Sequence, residues 1–129
     1  MAARKQMSFQ IISTRMHGML DIAFVLMFFA APYLLGFANG GAAQFSMQAM
    51  GVLVLTASML TRYETGLYGL IPMPMHLALD VAVSVFLIAA PFVFGFYNTV
   101  MWPYIILGML GLATGAMTKT QPQRGAMFA

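Results

Sequence analysis

Apolar residues fill four stretches of the chain, about Met16 to Phe37, Ala43 to Leu60, Met75 to Phe96 and Val100 to Met117, with few polar interruptions. Each is close to the ~20 residues that carry a helix across ~30 Å of hydrocarbon. The breaks are short, Ala38 to Ala42 and Tyr97 to Thr99, apart from a longer middle connection from Thr61 to Pro74. The pattern predicts an all-α integral membrane protein with four transmembrane helices, a single membrane domain over residues 1–129.

The four stretches are two copies of one pair. His17-Gly-Met-Leu-Asp21 runs on to Ala31-Pro32-Tyr33-Leu34-Leu35-Gly36-Phe37, and 59 positions later His76-Leu-Ala-Leu-Asp80 runs on to Ala90-Pro91-Phe92-Val93-Phe94-Gly95-Phe96. The second helices align at an offset of 57, Gly51 with Gly108 and Thr61-Arg62 with Thr118-Lys119, so the loop inside the second copy is two residues shorter. Repeat 1 covers about 14–62 and repeat 2 about 73–119. Two crossings per repeat give both copies the same orientation, so a pseudo-two-fold axis along the membrane normal and a compact four-helix bundle are expected.

Within each repeat the proline removes a backbone donor and crowds the carbonyl four residues earlier, which predicts a kink. The glycine four residues on predicts the end of the helix. Phe37, Phe96, Tyr97, Trp102 and Tyr104 then fall at one level, where an interfacial aromatic belt is expected. Gly111 and Gly115 form a small-xxx-small pair suited to close helix approach. Fourteen methionines suit the irregular gaps of such a bundle.

Composition agrees with the pattern: 61% of residues are hydrophobic and 7% charged, far below the about 25% charge of soluble domains. All six cations, Arg4, Lys5, Arg15, Arg62, Lys119 and Arg124, fall in the N-terminal tail, the middle connection or the C-terminal tail. The positive-inside rule puts both termini and that connection in the cytoplasm. The net charge of +3 gives at most a weak pull towards anionic lipid, and a nucleic-acid role has no support. A cleaved leader is disfavoured, because the first stretch corresponds to the third, which cannot be one. The lack of cysteine removes thiolate catalysis and iron–sulfur ligation. Met7 to Ser13 is expected to lie along the interface as a helix, and Lys119 to Ala129 to form a loose tail.

On the Pro-aromatic and Gly-Phe motifs the chain resembles the SPW repeat family of small bacterial integral membrane proteins. Ala31-Pro32-Tyr33 and Ala90-Pro91-Phe92 keep the proline and an aromatic while replacing the serine and tryptophan of the family motif. Tyr63 to Leu67 and Ile71 to Asp80 look like the family's junction between repeats, and the resemblance runs from about Thr14 to Thr118. It implies a fold and no activity.

The candidate chemistry is confined to His17, Asp21, His76 and Asp80. A spacing of four puts each His and Asp on one helix face, and the two-fold draws the pairs together. Asp21 falls roughly 5 Å inside the boundary of a ~30 Å core when counted back from Phe37. One reading is structural: each Asp accepts a hydrogen bond from its own His or from the partner helix. A second is a metal site, with His17 and His76 as ligands and Asp21 and Asp80 as ligands or supporting groups. Zinc or another divalent ion suits this set, and Met16, Met19, Met73 and Met75 nearby would suit copper(I). In a haem version the two imidazoles take the iron and the carboxylates orient them. A proton or solute path is disfavoured, because nothing ionisable follows Asp21 or Asp80 along their helices. Arg62 and Glu64 either pair or face water, with no role beyond topology.

No nucleophile triad, phosphate loop or zincin motif is present, so an enzyme is not expected. The reading is a small noncatalytic protein of the bacterial inner membrane, an accessory or self-associating subunit of a membrane complex in contact with lipid. The alternative is a metal- or haem-binding bundle, with electron transfer as its role.

Overall fold

The computed structural model describes residues 10–120. Four helices follow in order: α1 Thr14–Leu34, α2 Ala42–Leu60, α3 Met73–Val93 and α4 Trp102–Met117. The first three have 21, 19 and 21 residues and are long and apolar enough to cross a membrane. The fourth is apolar but has 16 residues, about 24 Å at 1.5 Å per residue. No strand forms among the described residues beyond two isolated bridges. This is a helical membrane protein, as the hydropathy pattern predicts.

α1 and α3 start two residues earlier and stop three residues earlier than the apolar pattern alone suggests. Ser13 explains the first start, its hydroxyl accepting the Met16 N–H at 3.1 Å as an N-cap. Gly36 and Gly95 explain the stops. Both sit in the left-handed region, φ 81° and 76°, which glycine adopts without a Cβ penalty. After Gly36 the Phe37 N–H reaches back to the Pro32 carbonyl at 2.8 Å, closing a Schellman turn.

That turn corrects the expected aromatic belt. Phe37 and Tyr104 are buried and Phe96 is half-buried. Phe37 and Phe96 pack on Tyr104 with ring centroids 6.4 and 5.0 Å away, so these three plug the loop end of the bundle from inside. Only Tyr97 and Trp102 of the five stay exposed. The Tyr104 hydroxyl also donates to the Ala43 carbonyl and meets Ser46, tying α4 to α2.

Each repeat is a tight hairpin, and glycine decides how tight. A Cβ at Gly51 would lie 3.2 Å from Phe28 Cβ and from the Phe29 ring; one at Gly108 would lie 2.6 Å from Ile88 Cγ1 and 2.9 Å from the Ser84 carbonyl. A Cβ at Gly115 would find only Val81 at 3.8 Å. The close approach in repeat 2 is therefore at Gly108 and Gly111 rather than at the expected Gly111 and Gly115. Gly108→Val should cost about 2 kcal/mol or more, since a backbone carbonyl cannot rotate aside as an overpacked side chain can. Gly115→Ala should be close to neutral. Thermal unfolding of both variants in one detergent checks the contrast.

The two hairpins meet at the end where α1 starts and α4 stops. Ile12 pairs with Thr118 and Ile71 with Thr61. Ile12 donates to Met117 at 2.9 Å as Ile71 does to Leu60 at 2.8 Å, and Lys119 donates to Ile12 at 2.9 Å as Arg62 does to Ile71 at 2.7 Å. Each bond is the image of the other under exchange of repeats. This extended pairing replaces the interfacial helix at Gln10 to Ser13; the rest of that expectation, Met7 to Phe9, lies outside the described residues, as do Arg4, Lys5, Arg124 and the tail from Gln121.

Candidate functional site

His17 and Asp21 stand one turn apart near the start of α1, and His76 and Asp80 stand likewise on α3. The crossing of the repeats brings all four into one cluster, with one ligand atom from each residue within 4.8 Å of every other. The shortest contacts run between helices: His17 Nε2 to Asp80 Oδ2 at 2.8 Å and His76 Nε2 to Asp21 Oδ2 at 3.0 Å. Contacts within a helix are longer, His17 Nε2 to Asp21 Oδ1 at 3.2 Å and His76 Nε2 to Asp80 Oδ2 at 3.3 Å. The sequence expectation of own-helix or partner-helix contact resolves as both, and each imidazole nitrogen lies against both carboxylates. Both histidines and Asp21 are buried; Asp80 keeps 11% of its side chain exposed.

Two threonines orient the imidazoles. Thr61 Oγ1 meets His76 Nδ1 at 2.6 Å, and its repeat counterpart Thr118 meets His17 Nδ1 at 2.8 Å. Each hydroxyl donates its own proton to the carbonyl four residues earlier, Ala57 and Thr114, at 2.5 Å. A hydroxyl so committed offers Nδ1 only lone pairs, so the hydrogen-bond network assigns the proton to Nδ1. Both Nε2 atoms then point at the carboxylate oxygens. In the neutral tautomer, lone pair faces lone pair, and only a positive charge between them turns that into attraction: a proton on each Nε2, or one cation shared by all four groups.

The middle connection folds over the cluster. Tyr63 donates to Asp21 Oδ2 at 2.7 Å, and Ser58 donates to the same oxygen at 3.3 Å. Burial first, and the Asp21 charge second, push the Tyr63 phenol above its usual range, so it remains a donor at physiological pH. Thr14 donates to both oxygens of Glu64, at 2.7 and 3.0 Å, and Arg62 Nε donates to the Gly69 carbonyl at 3.1 Å. Glu64 and Arg62 therefore do not pair with each other: Glu64 is held by Thr14, and Arg62 is exposed with its Nε on the connection's own backbone. Gly18 permits the approach, because a Cβ there would overlap the Thr65 hydroxyl.

Thr61, Thr118, Tyr63 and Ser58 are the site residues that the sequence reading missed. The available signal was the repeat alignment itself, which pairs Thr61 with Thr118. The expected methionines are mostly elsewhere: Met16, Met19 and Met75 are exposed on outer faces and Met73 packs with Tyr63 and Leu77. Thioether ligation of copper(I) by that group loses its geometric basis.

The cluster borders a partly open cavity of about 20 Å3, which also touches Phe28, Leu87, Ser84, Gly111 and Thr114. A family model described as SPW repeat domain matches residues 15–118. No curated protein and no solved structure matches the chain significantly.

Proposed function

The chain belongs to the SPW repeat domain family, and from that premise we propose that it is a small noncatalytic membrane protein whose two hairpins close around one divalent cation. The observation that carries this reading is the convergence of two Nε2 atoms and two carboxylates within 4.8 Å, with both rings held through Nδ1 by Thr61 and Thr118. The N···O edges of the cluster, 2.8 to 3.3 Å, resemble the about 3.3 Å edges of a tetrahedron whose ligands lie ~2.0 Å from zinc. Charge favours the same choice. Two carboxylates and two neutral imidazoles balance a +2 ion, whereas an ion of other charge leaves a net charge in a low-dielectric interior.

An ion suits the arrangement better than a porphyrin. The imidazole rings stand edge to face with centroids 5.5 Å apart, and both Nε2 atoms share Asp80 Oδ2. The carboxylates occupy the space that a haem plane between the rings would need. Arg15, Arg62 and Lys119 gather at the end where α1 starts and α4 stops, which supports placing that end in the cytoplasm and the protein in the inner membrane. The exposed apolar helix faces, Ile22 and Leu26 on α1 and Ile106 and Leu110 on α4 among them, suit lipid, a second copy or the helices of a larger complex in which the bundle is an accessory subunit.

The test is zinc titration of the chelator-stripped protein in detergent, followed by elemental analysis after gel filtration. About one equivalent per chain is expected, with affinity falling roughly 100-fold or more when His17 and His76 both become alanine. A wild-type protein with full helix content and no saturable zinc binding would leave the four residues as a clasp of proton-shared ion pairs and overturn the cation reading.

A further inference from the structure

The two repeats are images of each other in the ligands and in the threonines that hold them, but not in what surrounds the two carboxylates. Asp21 accepts from Tyr63 and Ser58 and lies against both imidazoles as well. The counterparts of those donors, at an offset of 57, are Thr120 and Gly115. Among the described residues Asp80 has polar contacts with the two imidazoles alone. No further donor to Asp80 is seen among them, and space lies beside it. Where repeat 1 has Val25 and Val54, repeat 2 has Ser84 and Gly111, and these two smaller residues line the cavity next to His17, Asp21 and Asp80, with Val54 and Phe28 of repeat 1 on its other wall. His76, on the opposite side, does not reach it.

Duplication alone produces a symmetric site, so the difference lies in what the copies no longer share. Resting on the cation reading above, we infer that the bound ion has a closed side at His76, which the cavity does not reach, and an open side facing the cavity next to Asp80, where a single exchangeable water completes its coordination. The volume fits one water, which needs roughly 10–15 Å3, and polar partners for it are present: the ion, the Asp80 carboxylate and the Ser84 hydroxyl, since Ser84 is buried against the cavity. A structural metal site is closed by protein ligands, while a site that exchanges ligands keeps one position for solvent. Here the water is a fifth ligand beside the four protein groups, a coordination number that zinc also adopts at ligand-exchanging sites, and it enters through the partly open cavity.

The experiment uses the intact protein loaded with Mn2+ in 17O-labelled water and reads metal-bound oxygen by electron–nuclear double resonance. One coupled water oxygen is expected in the wild type. Ser84→Val and Gly111→Ala, which bring each position closer to its repeat 1 counterpart, should retain Mn2+ at similar affinity and lose the signal. Gly111→Ala asks only the Ser84 hydroxyl to move, so one variant remains informative if the other unfolds. A wild type that binds Mn2+ with no coupled water oxygen overturns the open side and leaves the cation site standing, and so does a signal unchanged in both variants. A protein that binds neither Mn2+ nor zinc overturns both.

Discussion

Asp21→Ala is expected to cost the fold about 3–5 kcal/mol, the range for removing one partner of a buried ion pair and leaving the others uncompensated. Polar contacts between membrane helices average only ~0.6 kcal/mol, so the choice between the two scales needs a reason. The smaller figure describes neutral pairs in which each group can find another partner in the membrane. Asp21 is the acceptor for four donors at once, His17 at 3.2 Å, His76 at 3.0 Å, Tyr63 at 2.7 Å and Ser58 at 3.3 Å. Those donors come from four parts of the chain, α1, α2, the middle connection and α3, and no other acceptor of comparable charge is within their reach except Asp80. Removal of the carboxylate strands Tyr63 and Ser58, each a buried donor worth roughly 1–3 kcal/mol when left unmade, and loosens the connection that Tyr63 holds over the site. Asp80→Ala removes the same charge but strands neither hydroxyl, and the cavity lets water reach His17, so about half the loss is expected. Thermal unfolding of the two variants and wild type, in one detergent with chelator present, reads the difference. Equal losses, or a larger one for Asp80, would show that the hydroxyl donors do not make the carboxylates unequal.

Much of this site is written in the chain order, and the missing part is missing for a physical reason. The spacing of four fixes which side chains share a helix face, so the His and Asp pairs are legible from periodicity, and the duplication brings them to one axis. Helical periodicity carries no information about what lies above a helix end. Tyr63 reaches Asp21 because the connection folds back on itself, with Arg62 held to Ile71 and Gly69 and Glu64 held to Thr14, contacts between residues 7 to 50 positions apart. Thr61 and Thr118 end their helices, where a hydroxyl normally serves the backbone; here each does that and serves an imidazole as well. The aromatic belt shows the opposite error. Residues at the end of an apolar run read as interfacial, but a left-handed glycine turns Phe37 and Phe96 back into the bundle, and a hydropathy profile does not register that turn.

Thr61→Val and Thr118→Val are each expected to weaken zinc binding about 10–100-fold, the range for loss of a group that orients a metal ligand. Valine keeps the shape, so packing changes little and the hydroxyl alone is tested. Its loss leaves a buried Nδ1–H with no acceptor, and the ring escapes that cost by moving the proton to Nε2 or by turning over. Either change spoils the site, because a protonated Nε2 has no lone pair for a cation and a turned ring aims the wrong nitrogen. Thr61→Ser and Thr118→Ser retain an oxygen able both to donate to the carbonyl four residues back and to accept from Nδ1, and should bind zinc nearly as the wild type does. The two readings of the cluster separate here. A clasp of proton-shared ion pairs predicts that valine lowers thermal stability and that zinc changes nothing in any variant. A cation site predicts that zinc raises the unfolding temperature of the wild type and of the serine variants well above that of the valine variants. Stability scales with how far ligand concentration exceeds the dissociation constant, so at fixed zinc a 10–100-fold weaker site gives up about 1.4–2.7 kcal/mol of that gain. Unfolding scans at matched zinc concentrations read this, and an equal zinc-induced rise in the wild type and both valine variants would remove the threonines from any role in holding the metal.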